Sequence, residues 1–242
     1  MSWFKRLALA GIIFADASHA FAADMPGAYP MPVFKAPPLV ELSYAWYMRG
    51  DLGYGWGTLG DAQRAPGRAD PNGNKLGGGF VGGVGAGFKS RWLRTDATLD
   101  YTGPLKYSGN VGVPGGIGAN VTAVTALFNG YLDLGTWYHA TPYVGAGLGA
   151  TQLRIDDYVN AAAPLTTSGL SNTQYNFAWA VMAGVGFAVA PNIMIDAGYR
   201  YVNFGDVTIA GDTASALTLK NLAAHEVRVG FRWSFDDLYP VH

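Results

Sequence analysis

The chain has 242 residues, a formal net charge of −1 and no cysteine; half its residues are hydrophobic, 14% are charged, 14% are aromatic and 34 are glycine. Near-neutrality excludes a general attraction to nucleic acid or anionic surfaces, and the missing cysteine excludes disulfides and thiolate metal sites. Few charges with so much glycine depart from an ordinary soluble domain.

The first 22 residues have a basic start at Lys5 and Arg6, an apolar run from Leu7 to Phe14, and Ala20 and Ala22 at the −3 and −1 positions of a cleavage site. That arrangement predicts a secretory signal peptide over 1–22, removed before Ala23. Residues 23–42 follow, with five prolines and little periodicity. Proline fixes φ and removes donors, so this stretch is expected to be an extended arm.

From residue 43 to 235 a two-residue period recurs in eight segments, as expected of strands with two different faces. The first places Tyr44, Trp46, Met48, Leu52, Tyr54 and Trp56 opposite Ala45, Tyr47, Arg49 and Asp51. The second sets Phe80, Val84 and Phe88 against glycines and Lys89; the third sets Leu93, Ala97, Leu99 and Tyr101 against Arg94, Asp96 and Asp100. In the fourth, Val124 and Phe128 oppose Asn129, Tyr131 and Asp133. The fifth and sixth alternate Val144 and Leu148, then Phe177, Trp179 and Phe187, with small residues. The seventh sets Ile195, Tyr199 and Tyr201 against Asp196 and Arg200. The last sets Val227, Val229, Phe231, Trp233 and Phe235 against Glu226, Arg228 and Arg232. Short links near residues 90–91, 135–140 and 191–192 alternate with long polar links over 57–76, 103–118, 156–173 and 205–220. Such a rhythm predicts an antiparallel up-and-down meander, and eight strands of it close into a barrel without exposed edges. The residues after Phe235, 236–242, form a short tail with no length for a soluble wall-binding module.

Volume decides which face is wet. The interior of an eight-stranded barrel is filled by its own side chains, so the tryptophans and tyrosines of the apolar face would overfill it. The greasy face therefore meets lipid, and the fold class is an all-β, eight-stranded antiparallel transmembrane barrel. Tyr54, Trp56, Phe80, Tyr101, Phe177, Trp179, Tyr199 and Tyr201 fall toward the long-loop end, and Tyr44, Trp46, Phe88, Phe187, Trp233 and Phe235 toward the short-turn end. These are expected to be the two interfacial belts. The lumen then holds Arg49, Lys89, Arg94, Arg200, Arg228 and Arg232 with Asp51, Asp96, Asp100, Asp133, Asp196 and Glu226, balanced in sign. Buried charges persist only when paired. The expectation is an ion-pair plug with glycines making room for Tyr47 and Tyr131; a selectivity filter of a narrow pore is the alternative.

The order of "GDLGYGWG", "TPYVGAGLGA", "PNIMIDAGYRYVNFG" and "HEVRVGFRWSF" behind a signal and a proline-rich arm resembles the outer-membrane immunogenic (opacity/porin-like) β-barrels of Gram-negative bacteria. The resemblance spans nearly all of Ser43 to Phe235. It implies an outer-membrane location, variable surface loops, and roles as surface antigens, minor porins or, in some members, haem binders. Such barrels end on the aromatic of their last strand, whereas here "DDLYPVH" follows Phe235.

Other chemistry is poorly supported. "GAGLGA" at 145–150 matches a dinucleotide fingerprint in form but lacks the helix that would hold a pyrophosphate. His225 would serve a lipid-modifying hydrolase only with a serine and an acid on one patch, and Glu226 has the opposite parity. Isolated histidines lack metal or haem ligand spacing. No catalytic, cofactor or metal residues are assigned. The expected partners are outer-membrane lipid and lipopolysaccharide, the barrel-assembly machinery and a host or surface ligand at the loops, with no nucleic acid.

Overall fold

Alternation of large apolar and small or polar residues suits a pleated wall between two media, and the chain forms strands almost throughout. The structure is a computed structural model that describes residues 44–64, 70–110, 112, 116–160, 170–209 and 217–235. The signal, the arm and the tail of the sequence reading lie outside these residues. The strands are β1 (Tyr44–Thr58), β2 (Asp61–Arg64), β3 (Asn72–Leu76), β4 (Gly78–Ser90), β5 (Leu93–Asn110), β6 (Ile117–Asp133), β7 (Ala140–Asn160), β8 (Leu170–Ala190), β9 (Ile193–Ile209) and β10 (Leu217–Phe235). Eight of them form the ring β1-β4-β5-β6-β7-β8-β9-β10, closed where β10 pairs antiparallel with β1 from Trp46↔Phe235 to Thr58↔Ala223. Closure pairs every strand of the wall on both sides, which a wall in hydrocarbon requires.

In the ring, facing residues share a side. Met48 lies opposite Trp233, Leu52 opposite Val229 and Tyr54 opposite Phe80, all exposed on the outer face. Between them Tyr47, Asp51, Arg94, Asp96 and Glu226 are buried inside.

The long links of the sequence reading need correction. Much of 57–76, 103–118, 156–173 and 205–220 is strand, because the hairpins run on past the outer aromatic belt. Period-two reading lost them because irregularities at that level shift the parity. In β5 the register slips between Thr102 and Leu105, where Gly103 has φ 127°, and the next inward residues are Leu105 and Tyr107. In β7 it slips between Ile155 and Tyr158, around Asp157 with φ 55°. In β9 and β10, Gly205 (φ 79°) and Asn221 (φ 51°) sit at matching breaks. One extra residue per bulge turns the following side chains over.

Around and above this level the two faces exchange character, in part without any shift: Ile117, Val121, Leu153, Ile155, Phe204 and Leu222 keep the parity of the membrane wall. The inward residues become Tyr107, Ile117, Val121, Leu153, Ile155, Tyr158, Phe204, Val207, Leu217, Leu219 and Leu222, all at or below 2% exposure. Lys106, Arg154 and Asp206 sit on the outer side. This collar is built like a water-soluble domain, and each fully buried large apolar side chain contributes roughly 1.5–3 kcal/mol. Tyr107 keeps its hydroxyl satisfied by donating to Asn74 Oδ1 at 2.8 Å. Burial, and then Tyr158 beside it, push its ionisation up to about 12.

The collar also splits. The β8–β9 ladder ends at Trp179↔Asn203, whereas β8 stays with β7 up to Leu170 and β9 with β10 up to Ile209. β2 adds to β10, and β3 adds to β5. Side-chain amides bridge the β8–β9 gap. Asn176 Nδ2 donates to the carbonyls of Phe204 (3.0 Å) and Asp206 (2.6 Å), Asn172 Nδ2 donates to Thr208 O (2.9 Å), and Thr208 N–H donates to Gln174 Oε1 (3.1 Å). One such bond contributes about 1 kcal/mol. Gln174→Ala is therefore expected to speed hydrogen exchange at the Thr208 amide about fivefold, leaving amides below Trp179 unchanged. Exchange followed by NMR reads this directly, and an unchanged Thr208 would show that the bridge does not hold the seam.

Candidate functional site: the charged lumen and the outer rim

Inward parity and glycine together create the lumen network. Where a large polar side chain turns into the bore, its register partner on the neighbouring strand is a glycine, as in Gly83↔Asp100 and Gly145↔Tyr131. A Cβ at Gly83 would lie 2.1 Å from Asp100 Oδ1, and one at Gly145 would lie 2.5 Å from the Tyr131 ring. Any other residue there would push the charged groups off their partners.

Near the short-turn end, Asp133 accepts from Arg94 Nε at 2.8 Å and meets Lys89 Nζ at 3.2 Å. The Arg94 guanidinium lies 4.7 Å from the centroids of both Tyr131 and Tyr143, a double cation–π contact. One storey up, Arg232 grips Asp196 with Nε at 3.2 Å and Nη2 at 3.1 Å. Asp96 gathers bonds from Tyr47 Oη (3.0 Å), Arg49 Nη1 (3.1 Å) and Asn129 Nδ2 (2.8 Å). Arg49 also donates to Asp51 Oδ2 at 3.1 Å and to Tyr131 Oη at 2.8 Å.

The top storey is the tightest. Asp100 lies between Arg228 Nη1 (2.7 Å) and Arg200 Nη1 (2.9 Å), while Arg200 Nε donates to Glu226 Oε2 at 2.7 Å. Arg228 Nε faces Asp51 Oδ1 at 2.9 Å, and Thr102 Oγ1 closes the layer on Glu226 Oε1 at 3.1 Å. The sequence-assigned charges are thus brought into ion-paired groups that tyrosines join, Arg94 lying over Tyr131 and the Arg232 guanidinium 5.6 Å from the Tyr47 ring. Thr98, Thr102, Asn129 and Tyr143 join them as neutral members that a search for charge alone passes over.

The arrangement leaves little space. A void of about 30 Å³ is lined by Arg49, Asp51, Tyr131, Arg200 and Arg228. It holds about one water molecule, and the apolar collar core sits over the Glu226 layer.

The belt residues occupy the outer face. Trp46 tilts on Phe88 at 5.3 Å and Trp233 on Phe235 at 4.8 Å, with Phe187 on the same lower rim opposite Ala140. Tyr44 pairs with Ser90 by its backbone; its side chain lies outside the described residues. At the upper rim Trp179 meets Tyr201 at 5.5 Å, and Tyr54, Trp56, Tyr101 and Tyr199 are exposed. His225 is enclosed by aromatics there: Trp56 stacks on it at 6.1 Å, Tyr201 meets it at 5.1 Å, and Tyr199 Oη hydrogen-bonds its Nδ1. Glu226, the neighbouring acid, is inside on Arg200, so it does not pair with His225.

Removing one member of a buried ion pair costs about 3–5 kcal/mol because the remaining charge stays buried. Arg200→Met, which strips a cation from both Asp100 and Glu226, is expected to lower barrel stability by that amount. Urea unfolding followed by heat-modifiable gel migration measures it; a variant as stable as the parent would mean that the network contributes no net stability.

The chain matches the family described as outer membrane protein beta-barrel domain over residues 27–235. It is 30% identical over 224 residues to an uncharacterized protein of Brucella suis biovar 1 (strain 1330), covering 78% of each chain. It is 30% identical over 138 residues to the Rickettsia bellii (strain OSU 85-389) protein "Putative adhesin A1I_01215", covering 52% of this chain and 60% of that one. The crystal structure of Neisserial surface protein A shares the fold, with a TM-score of 0.50 at 23% identity over 78% of this chain and 97% of that one. The chain belongs to the outer membrane protein β-barrel family.

Proposed function

We propose that this outer-membrane barrel is a non-enzymatic scaffold whose work is done by the hairpins it holds above the membrane. The observation that carries this is the change of build along the axis. A lumen filled with ion pairs is topped by a collar with a water-type apolar core, so the strands continue as a packed post outside the lipid. Export would proceed by removal of residues 1–22. Transport through the bore is the second reading, and the single-water void speaks against it. Contact with a host or other surface is the activity that an exposed post of this kind serves, and the relative named as an adhesin supports it.

The test displays the protein on a non-adherent Gram-negative host and compares it with variants lacking 161–169 or 211–216, segments that lie in sequence between β7 and β8 and between β9 and β10. Wild type is expected to raise attachment to cultured cells several-fold. The trimmed variants should fall to vector level while keeping heat-modifiable migration and the intact mass of a chain starting at Ala23. Attachment that survives both deletions would overturn the reading. In planar bilayers the wild type is expected to give no stable discrete openings; regular unit conductance would establish the pore instead.

A further inference from the structure

The outer face of the membrane wall is dented between β10, β1, β4 and β5. Two outward positions there, Gly50 and Gly82, carry no side chain, and register places them diagonally: Gly50 faces Val84, and Leu52 faces Gly82. Gly50 also lies opposite Phe231 across the closing seam. The result is an apolar groove of about 780 Å³, within the ~300–1,000 Å³ usual for small-molecule sites. Its upper end is Phe80 and Tyr101, at the outer aromatic belt, and its lower end reaches Phe231, so it crosses the outer half of the bilayer. Lipid surrounds this face, and a groove lined by Leu, Val and Phe side chains suits a hydrocarbon chain.

Cations stand directly above the groove's mouth. The Gly77 N–H donates to the Lys106 carbonyl at 2.8 Å, and the Gly77 carbonyl accepts from Gly57 N–H at 3.0 Å. Lys106 is therefore level with the residue after Trp56, just over the belt. Its neighbours Leu105 and Tyr107 are buried inward, so Lys106 points out. Lys75 is exposed on β3 opposite Ser108, two residues along from Lys106. The exposed acids on this side are already engaged: Asp61 accepts from Ala62 N–H and the Gln63 amide, and Asp70 accepts from Arg64 N–H; Asp156, Asp157 and Asp206 belong to β7 and β9. An apolar slot with two ammonium groups at its headgroup end matches an acyl chain joined to a phosphate.

We propose that this wall is a specific binding site for the phosphorylated acyl glycolipid of the outer leaflet: one chain lies in the Gly50/Gly82 groove, and its phosphate is held by Lys75 and Lys106. An inner-leaflet lipid would present its headgroup at the opposite rim. The site needs only the outer-membrane placement of the barrel and does not depend on what the hairpin tips touch.

Filling the groove is sterically mild. A Cβ at Gly50 would approach only the Phe231 ring edge at 3.3 Å, and one at Gly82 the ends of Leu52 (3.1 Å) and Phe80 (3.3 Å). The experiment is native mass spectrometry of the refolded full chain with bis-phosphorylated lipid A, dephosphorylated lipid A and phosphatidylglycerol. Wild type is expected to retain one bis-phosphorylated molecule. The Gly50→Leu/Gly82→Leu and Lys75→Gln/Lys106→Gln variants should each retain about tenfold less or below. Heat-modifiable migration of both shows that they are folded, and Arg154→Gln, on β7, should behave as wild type. Equal retention by either double variant would overturn the proposal. So would equal retention of the dephosphorylated lipid or phosphatidylglycerol, or a dimer that the leucines dissolve, which would assign the groove to a second copy of the chain.

Discussion

The constraint from which the rest follows is that the medium outside the wall changes at one level while the hydrogen-bonded ladder runs through it. In hydrocarbon no backbone donor or acceptor can be left open, so the ring must close, and its outer face must be apolar. With the greasy groups outside, charge and glycine have only the bore to occupy. The filled lumen is thus a consequence of the wall: twelve ionisable groups inside a narrow cylinder survive because arginine forks and carboxylates meet across strands. Beyond the outer belt water returns, and the same strands do the opposite, turning Leu153, Phe204 and Leu219 inward.

Leu153 and Phe204 make that reversal by residue type alone, on the same parity as the membrane wall, whereas Leu219 is brought inward by a bulge that does not interrupt its strand. A strand cannot change which residues face inward while its period stays two. Gly103, Asp157, Gly205 and Asn221, all with positive φ, supply the extra residue that turns the chain over. The split between β8 and β9 begins just above the belt, where unpaired backbone groups can be met by amide side chains or water. Within the membrane such a gap would be costly; in the collar it is tolerable.

These differences explain what the sequence makes readable. Residues 44–56 or 225–235 alternate without interruption, and the volume of their aromatics tells which side is lipid. Parity likewise places Arg94 and Asp196 on the inward side. It does not say which charges meet: Arg228 and Asp100 are 128 positions apart, and only ring closure brings them together. The collar is illegible because its parity changes four times and its outward residues have the composition of loops. Nor does sequence show that Gly50 and Gly82 stand side by side, since their adjacency is a property of register.

The bulge band separates two pieces of inheritance. Below it, an inserted or lost residue would expose every following charge to lipid. Above it, a hairpin can grow, shrink or be exchanged for another, because water surrounds the strands there and a change of phase puts no charge in lipid. The outer hairpins are therefore modular cassettes on a fixed socket, and variation in them leaves the membrane-embedded alignment untouched.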